Sequence, residues 1–270
     1  MSKAIKHIQA GLLHIEVLGS VPDGTKKRRS ARAGPTPPAQ RFYNLKHSWQ
    51  ELELTIAANF QGHDLVLTFT YDDGRLPPDK AAAGKQFQKF IRRLRGARRK
   101  RGAELRYVYV TEGFHAKGTG QFGEDGALED KRLHHHGVFN VTGPGDLEEI
   151  RSLWPGGGYI RAEPVDVHYY RELAKYLTKE AREFGTPKPG ERTWRGSRNL
   201  KKYSVEYIEI PTESVTLAPP CGAVDYAQFG EQNPYGYGVC VGARYLLFPK
   251  TEDRAYSYTQ GRTPEKRNTA

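Results

Sequence analysis

Hydrophobic positions along this chain follow two rhythms, one near two residues and one near 3.6, and the switches between them predict the elements. His7 to Leu18 carries a weak strand pattern with no evident partner. From Asn44 to Phe60 the apolar positions Leu45, Trp49, Leu52 and Ile56 fall at helical spacing, so a helix covering a sheet is expected there. Asn59 to Asp64 reads as a turn. Leu65 to Tyr71 follows and is apolar on both faces, as a central strand would be. Pro77-Pro78-Asp79 introduces the clearest helix, about residues 79 to 101, with Ala83, Phe87, Phe90, Ile91, Leu94 and Ala97 as its buried stripe.

Arg106 to Glu112 is rich in aromatic and β-branched residues and predicts a strand ending in a carboxylate. Leu133 to Val141 predicts another. The connection from Gly113 to Arg132 holds five glycines and is mostly polar, the composition of a loop that closes over a site. A short helix from Leu147 to Leu153, a strand from Tyr159 to Val167 and a helix from Val167 to Glu180 with Leu173 and Leu177 inward complete the series. The order strand, helix, strand, strand, helix, strand predicts an α+β fold: a central antiparallel sheet of split βαβ (ferredoxin or RNA-recognition) topology, flanked by helices. Beyond residue 205, Tyr207 to Ile210 and Val239 to Phe248 suggest a β-rich appended hairpin, with a polar, frayed tail from Thr251. The expected division is an N-terminal extension with a basic linker (1–43), a principal domain (44–205) and a C-terminal extension (206–270).

The second of those strands begins with His134-His135-His136. Side chains alternate along a strand, so His134 and His136 project together while His135 points away with Phe139 and Val141. Three histidines in a row are explained about equally well by a solvated edge or by satisfied core histidines. If the two strands form an antiparallel hairpin, however, Glu112 lies beside His134 and His136 and supplies a third ligand for a divalent metal.

Charge sharpens the picture. The chain has 42 Lys and Arg against 31 Asp and Glu, a formal net charge of +11. Between Arg75 and Arg101 stand eleven Lys or Arg and one Asp, so one helix carries nearly the whole excess. Exposed helix faces usually mix signs; a dense single-sign face points to phosphates. Lys85, Lys89, Arg92, Arg93, Arg95, Arg99 and Lys100 are the expected DNA-binding residues. Asp23 to Gln40, with Lys26-Lys27-Arg28-Arg29 and a proline cluster, reads as a flexible basic linker. No apolar run has membrane-spanning length, and the first residues lack a secretory pattern, so a cytoplasmic protein without membrane contact is expected. Cys221 and Cys240 fit neither a zinc ribbon nor a disulfide framework.

In the last predicted helix Tyr176 and Lys179 are three apart, and Lys175 and Lys179 four apart, so a phenol shares a face with an ammonium. An unperturbed tyrosine, with a pKa of about 10, is a poor nucleophile at neutral pH, and a nearby cation favours its phenolate. Taken alone, a Tyr-x-x-Lys is usually a half-buried ring beside solvated lysines. Taken together, Leu65 to Tyr71, Tyr107 to Glu112, His134 to Phe139 and Lys175 to Lys179 resemble the HUH endonuclease domains of rolling-circle replication initiators from bacterial plasmids and single-stranded DNA phages. Ser197-Arg198-Asn199-Leu200-Lys201 also resembles a segment of these initiators.

The resemblance implies that His134, His136 and Glu112 hold Mg²⁺ or Mn²⁺. It also implies that Tyr176 attacks a phosphodiester of single-stranded origin DNA, assisted by Lys179 or Lys175, leaving a 5′-phosphotyrosine and a free 3′-OH. Two features depart from the family pattern. The residue between the ligand histidines is itself a histidine, which leaves a shifted register through His135 open. The residue four before Tyr176 is Glu172, which implies a single-tyrosine cycle with Tyr169 and Tyr170 as lesser candidates. Related single-tyrosine transposases and relaxases share this chemistry. A different reading is a non-catalytic binder of single-stranded DNA or RNA, stacking bases on Tyr107 and Tyr109. No G-x-x-x-x-G-K-[ST] phosphate loop is present, so a separate host helicase, with a polymerase, is the expected partner.

Overall fold

The structure is a computed structural model describing residues 3–20, 38–116, 128–184, 192–210, 216–232 and 239–249. In chain order the elements are β1 (Lys3–Ala10), β2 (Leu13–Ser20), α1 (Pro38–Asn59), β3 (Leu65–Tyr71), α2 (Lys80–Lys100), β4 (Tyr107–Ala116), β5 (Leu128–Phe139), α3 (Asp146–Leu153) and β6 (Gly157–Pro164). They continue with α4 (Tyr170–Leu177), α5 (Lys179–Phe184), β7 (Arg195–Gly196), β8 (Ser204–Glu209), β9 (Ala223–Gln232) and β10 (Val239–Leu247). The fold is mixed α+β, with two antiparallel five-stranded sheets flanked by helices.

The first sheet runs β6-β3-β5-β4-β7. Its first four strands, numbered by their own order in the chain, stand 4-1-3-2, which is the split βαβ arrangement the element order predicts. The two-faced apolar strand β3 is interior, paired with both β5 and β6. One face of this sheet carries Leu67, Phe69, Tyr71, Tyr107, Tyr109 and Phe139, packed against Phe87, Phe90, Ile91 and Leu94 of α2 and Ile150 of α3. Phe69 sits at its centre, with ring centroids of Phe87, Phe90 and Trp154 at 5.2, 5.4 and 5.1 Å, the tilted and edge-on spacing that aromatic quadrupoles favour. The opposite face carries Val108, Val110 and Val138 and is covered by α1 and α4 through Leu52, Ile56, Ala174 and Leu177.

Helix α2 starts at Asp79, whose carboxylate accepts from the Ala82 amide at 2.7 Å, and ends in Arg98-Arg99-Lys100, which suits the negative end of the helix dipole. Arg98 is not part of its solvated face. It is fully buried, donates to the carbonyl and side-chain oxygens of Asn140, and lies 3.1 Å from Asp146.

The second sheet runs β8-β1-β2-β10-β9, so both ends of the chain build one layer. The single weak strand expected at residues 7–18 is instead a hairpin turning at Gly11, whose φ of +60° suits glycine and whose missing Cβ leaves room for the Ala57 carbonyl of α1. Its inner face packs on α1 through Ile8, Ala10, Leu13 and Leu246, and Arg244 reaches Glu53 of α1 at 2.7 Å. The expected C-terminal hairpin exists as β9 and β10, but it joins this layer rather than the first sheet. Helix α1 begins at Pro38, several residues before the expected start. The expected loop from Gly113 to Arg132 is shorter, because β4 and β5 continue as paired strands past a bulge at Gly113. The expected basic linker and the tail from Thr251 lie mostly outside the described residues. No helix among the described residues is long and apolar enough to cross a membrane.

Candidate metal centre

The register of β4 against β5 decides which histidines meet the carboxylate. Glu112 stands directly opposite His134, and His136 pairs with Val110 and with Thr68 of β3. Alternation therefore puts Glu112, His134 and His136 on the face covered by α1 and α4. His134 Nε2 is 3.3 Å and His136 Nε2 3.7 Å from Glu112 Oε2, and the two Nε2 atoms are 3.0 Å apart. All three residues are buried, and their donor atoms lie within 4.8 Å of one another. Two imidazole nitrogens and a carboxylate oxygen converging at this spacing can hold a divalent cation, and mixed nitrogen and oxygen donors do not single out one ion.

Neighbours fix the rings. His134 Nδ1 donates to the Arg132 carbonyl at 3.0 Å, which leaves Nε2 with a lone pair aimed into the cluster. His136 Nδ1 is 2.9 Å from the Thr68 hydroxyl. Burial alone would raise the Glu112 pKa. The His134 and His136 contacts and the Lys179 ammonium outweigh it and hold the carboxyl well below the usual carboxylate range. Burial lowers the His136 pKa, so its imidazole is neutral and able to ligate near neutral pH.

His135 faces the other way, which rules out the shifted register. Its Nε2 is 2.7 Å from the Tyr71 hydroxyl, its Nδ1 is 2.9 Å from Thr111 Oγ1, and its ring stacks on Phe87 at 4.2 Å. It is a satisfied core histidine.

The tyrosine helix is not continuous. A 3₁₀ turn at Val167–Tyr169 leads into α4, and the chain breaks at Thr178, whose hydroxyl bonds back to the Ala174 carbonyl at 2.8 Å, before α5 begins. Tyr176, half-exposed, places its hydroxyl 3.3 Å from His136 Nε2. Lys179 places Nζ 3.4 Å from Glu112 Oε2 and 4.1 Å from the centre of the Tyr176 ring. Lys175 does not join them: its ammonium lies over Trp49 of α1 at 5.3 Å. Tyr170 is buried, its hydroxyl donating to the Phe60 carbonyl at 2.7 Å, and Tyr169 is exposed.

Sequence reasoning missed Glu180. Its Oε2 accepts from the Gly113 amide at 2.7 Å and its Oε1 pairs with Lys80, so one buried carboxylate ties the bulge after Glu112 to α5 and to the start of α2. The one sequence signal was its adjacency to Lys179. Ser197 to Lys201 flanks the sheet edge. The Ser197 amide donates to the Tyr107 carbonyl at 2.9 Å, and Lys201 exchanges backbone bonds with the Asn59 side chain. Tyr107 and Tyr109, the candidate stacking platforms, are buried under α2. Lys85, Lys89, Arg92, Arg93, Arg95, Arg99 and Lys100 are all on α2 and outside its buried stripe.

Fold and cluster together define a split βαβ protein with a buried two-histidine, one-glutamate group and a tyrosine at its mouth. Residues 64–181 match the family model of the replication-associated protein ORF2, a span that takes in all of β3 and every residue of the cluster. The match is consistent with a replication initiator. No curated protein and no solved structure matches the chain.

Proposed function

We propose that this chain is a metal-dependent endonuclease of the HUH type that nicks single-stranded origin DNA to start rolling-circle replication of a plasmid or phage element. The observation that carries this reading is the Tyr176 hydroxyl at 3.3 Å from His136 Nε2, at the edge of a cluster able to take a cation. The replication-associated family match supports it.

In this reading residues 44–205 are the catalytic domain, and residues 1–43 and 206–270 are its extensions. Glu112, His134 and His136 hold Mg²⁺ or Mn²⁺, which when bound polarises the scissile phosphate and offsets its charge. Tyr176 gives up its phenolic proton to water and its oxygen attacks the phosphorus. The Tyr–O–P bond forms, the bond to the 3′ oxygen breaks, and the 3′-OH is freed to prime synthesis. Lys179, facing both the ring and Glu112, stabilises the phenolate; Lys175, over Trp49, has no part in the step. Cations of α2 hold DNA by its phosphates, and a host helicase and polymerase in the bacterial cytoplasm supply unwinding and synthesis. The non-catalytic stacking module is disfavoured by the burial of Tyr107 and Tyr109.

The test is incubation with labelled single-stranded DNA and Mn²⁺, followed by a denaturing gel. A covalent adduct is expected from the wild type, absent in chelator and absent from Tyr176→Phe. An adduct that survives in Tyr176→Phe, or no adduct from wild type on any strand of a random pool, refutes the proposal.

A further inference from the structure

The cations on α2 do not face the metal cluster. Helix α2 packs on the sheet face that carries Phe69, Tyr109 and His135, whereas Glu112, His134, His136 and Tyr176 occupy the face covered by α1 and α4. A strand lying on the outer side of α2 is therefore separated from Tyr176 by the thickness of the sheet and a helix.

Two adjoining depressions run along that side. One lies between Gln88, Arg92 and Arg95 of α2 and Tyr107. The other, about 760 Å³, continues past Arg95 and Arg99 to Arg198 and Asn199, beyond the sheet edge at β7. Arg92, Arg99 and Arg198 are exposed, and among the described residues none of them pairs with a carboxylate. Arg95 is steadied by the Tyr107 hydroxyl at 3.2 Å. Among the described residues Glu104 is the one acid lining the depressions, and it faces Asn199 at 3.5 Å.

The chemistry selects the ligand. Tyr107 and Tyr109 expose 8 % and 4 % of their surface, so the groove offers no ring on which an unpaired base can stack, the usual requirement of single-strand surfaces. It offers guanidinium forks, which suit phosphate oxygens. The 21-residue helix is a charged rod of about 30 Å, the rise of roughly nine base pairs.

We infer that the groove between α2 and the Arg198–Asn199 segment is a second nucleic-acid site that holds the phosphate backbone of duplex DNA. The identity of that duplex as the flank of the cut strand rests on the nicking function proposed above; duplex binding itself does not.

The experiment measures binding of a 20-base-pair duplex with no cleavage site (about two helical turns) in chelator, across a salt series, so that it is independent of cleavage. Arg92→Ala/Arg99→Ala/Arg198→Ala is expected to weaken duplex binding on the order of 10²-fold at 0.1 M salt. The log–log salt slope should become shallower by about 2.7, the value for three lost phosphate contacts. The matching triple Arg→Lys variant should recover most of the affinity, and a saturating short single strand should leave the duplex bound. Wild-type affinity and slope in the alanine variant overturn the inference. So does displacement of the duplex by the single strand, which would mean one shared site, or an equal loss of single-strand affinity in the variant.

Discussion

Replacing His135 by Phe separates the core histidine from the two ligands on either side of it. The ring stays aromatic and stays on Phe87, but the Tyr71 hydroxyl and Thr111 Oγ1 lose their partner. Tyr71 is 2 % exposed and cannot turn to water, so its orphaned hydroxyl costs about 1–3 kcal/mol. Thr111 is partly exposed and costs less, and the slightly larger ring adds about 1 kcal/mol of overpacking. The sum is about 2–4 kcal/mol, or roughly 5–15 °C in melting temperature for a chain of this size. Metal binding should survive. At a Mn²⁺ concentration 100 times its Kd, linkage adds about 2.7 kcal/mol to the stability of a competent site. Urea unfolding with Mn²⁺ and with chelator should therefore show that increment, within about 1 kcal/mol, in wild type and in His135→Phe. It should vanish in His134→Ala and His136→Ala. If His135→Phe loses the Mn²⁺ increment while His134→Ala keeps it, the assignment of ligands from the strand register is wrong.

Two further outcomes follow from the same geometry. Lys179→Ala should slow single-turnover adduct formation by about 10²-fold, in line with loss of one charge-stabilising group. Lys175→Ala, whose ammonium lies over Trp49, should change it less than about threefold, and comparable losses in both would undo the distinction. The second concerns acid. Burial tends to raise the Asp146 pKa, but the Thr142 amide and the Arg98 and Arg101 guanidinium groups hold it below its ordinary value. Its contribution is therefore fully present above the unfolded pKa of about 3.9 and is lost as the pH falls below that through the folded value. Urea midpoints should drop below about pH 4 in wild type, and Asp146→Asn should be less stable at pH 7 but flatter in that range; an equally steep decline in the variant would contradict this.

The split βαβ sheet was legible because its strands and helices declare their periods, from the two-faced pattern of Leu65 to Tyr71 to the stripe of Phe87, Phe90 and Leu94. The metal cluster was legible because strand alternation is local and hairpin register follows from adjacency. Three things were not. The pairing of β1 and β2 with β8 and β10 depends on partners far away in the chain, which no local period encodes. The Glu180 bond to the Gly113 amide depends on a bulge and a helix break that meet only in the folded molecule. The direction of Lys175 depends on Trp49, more than a hundred residues earlier, because a helical face seen in sequence does not say what lies opposite it.

The layer built from both chain ends sets an order of events during synthesis. The β1–β2 hairpin leaves the ribosome first, yet the strands that cover its two edges come on the order of 200 residues later. At 5–20 residues per second that is a wait of about 10–40 s with two open strand edges, and the sheet that carries the metal cluster completes its own sequence just before the wait ends. That sheet is thus free to fold before the terminal layer closes. A nascent or truncated chain lacking β8 to β10 would present a hairpin with unpaired edges at its N-terminus, a natural target for chaperones and a seed for aggregation.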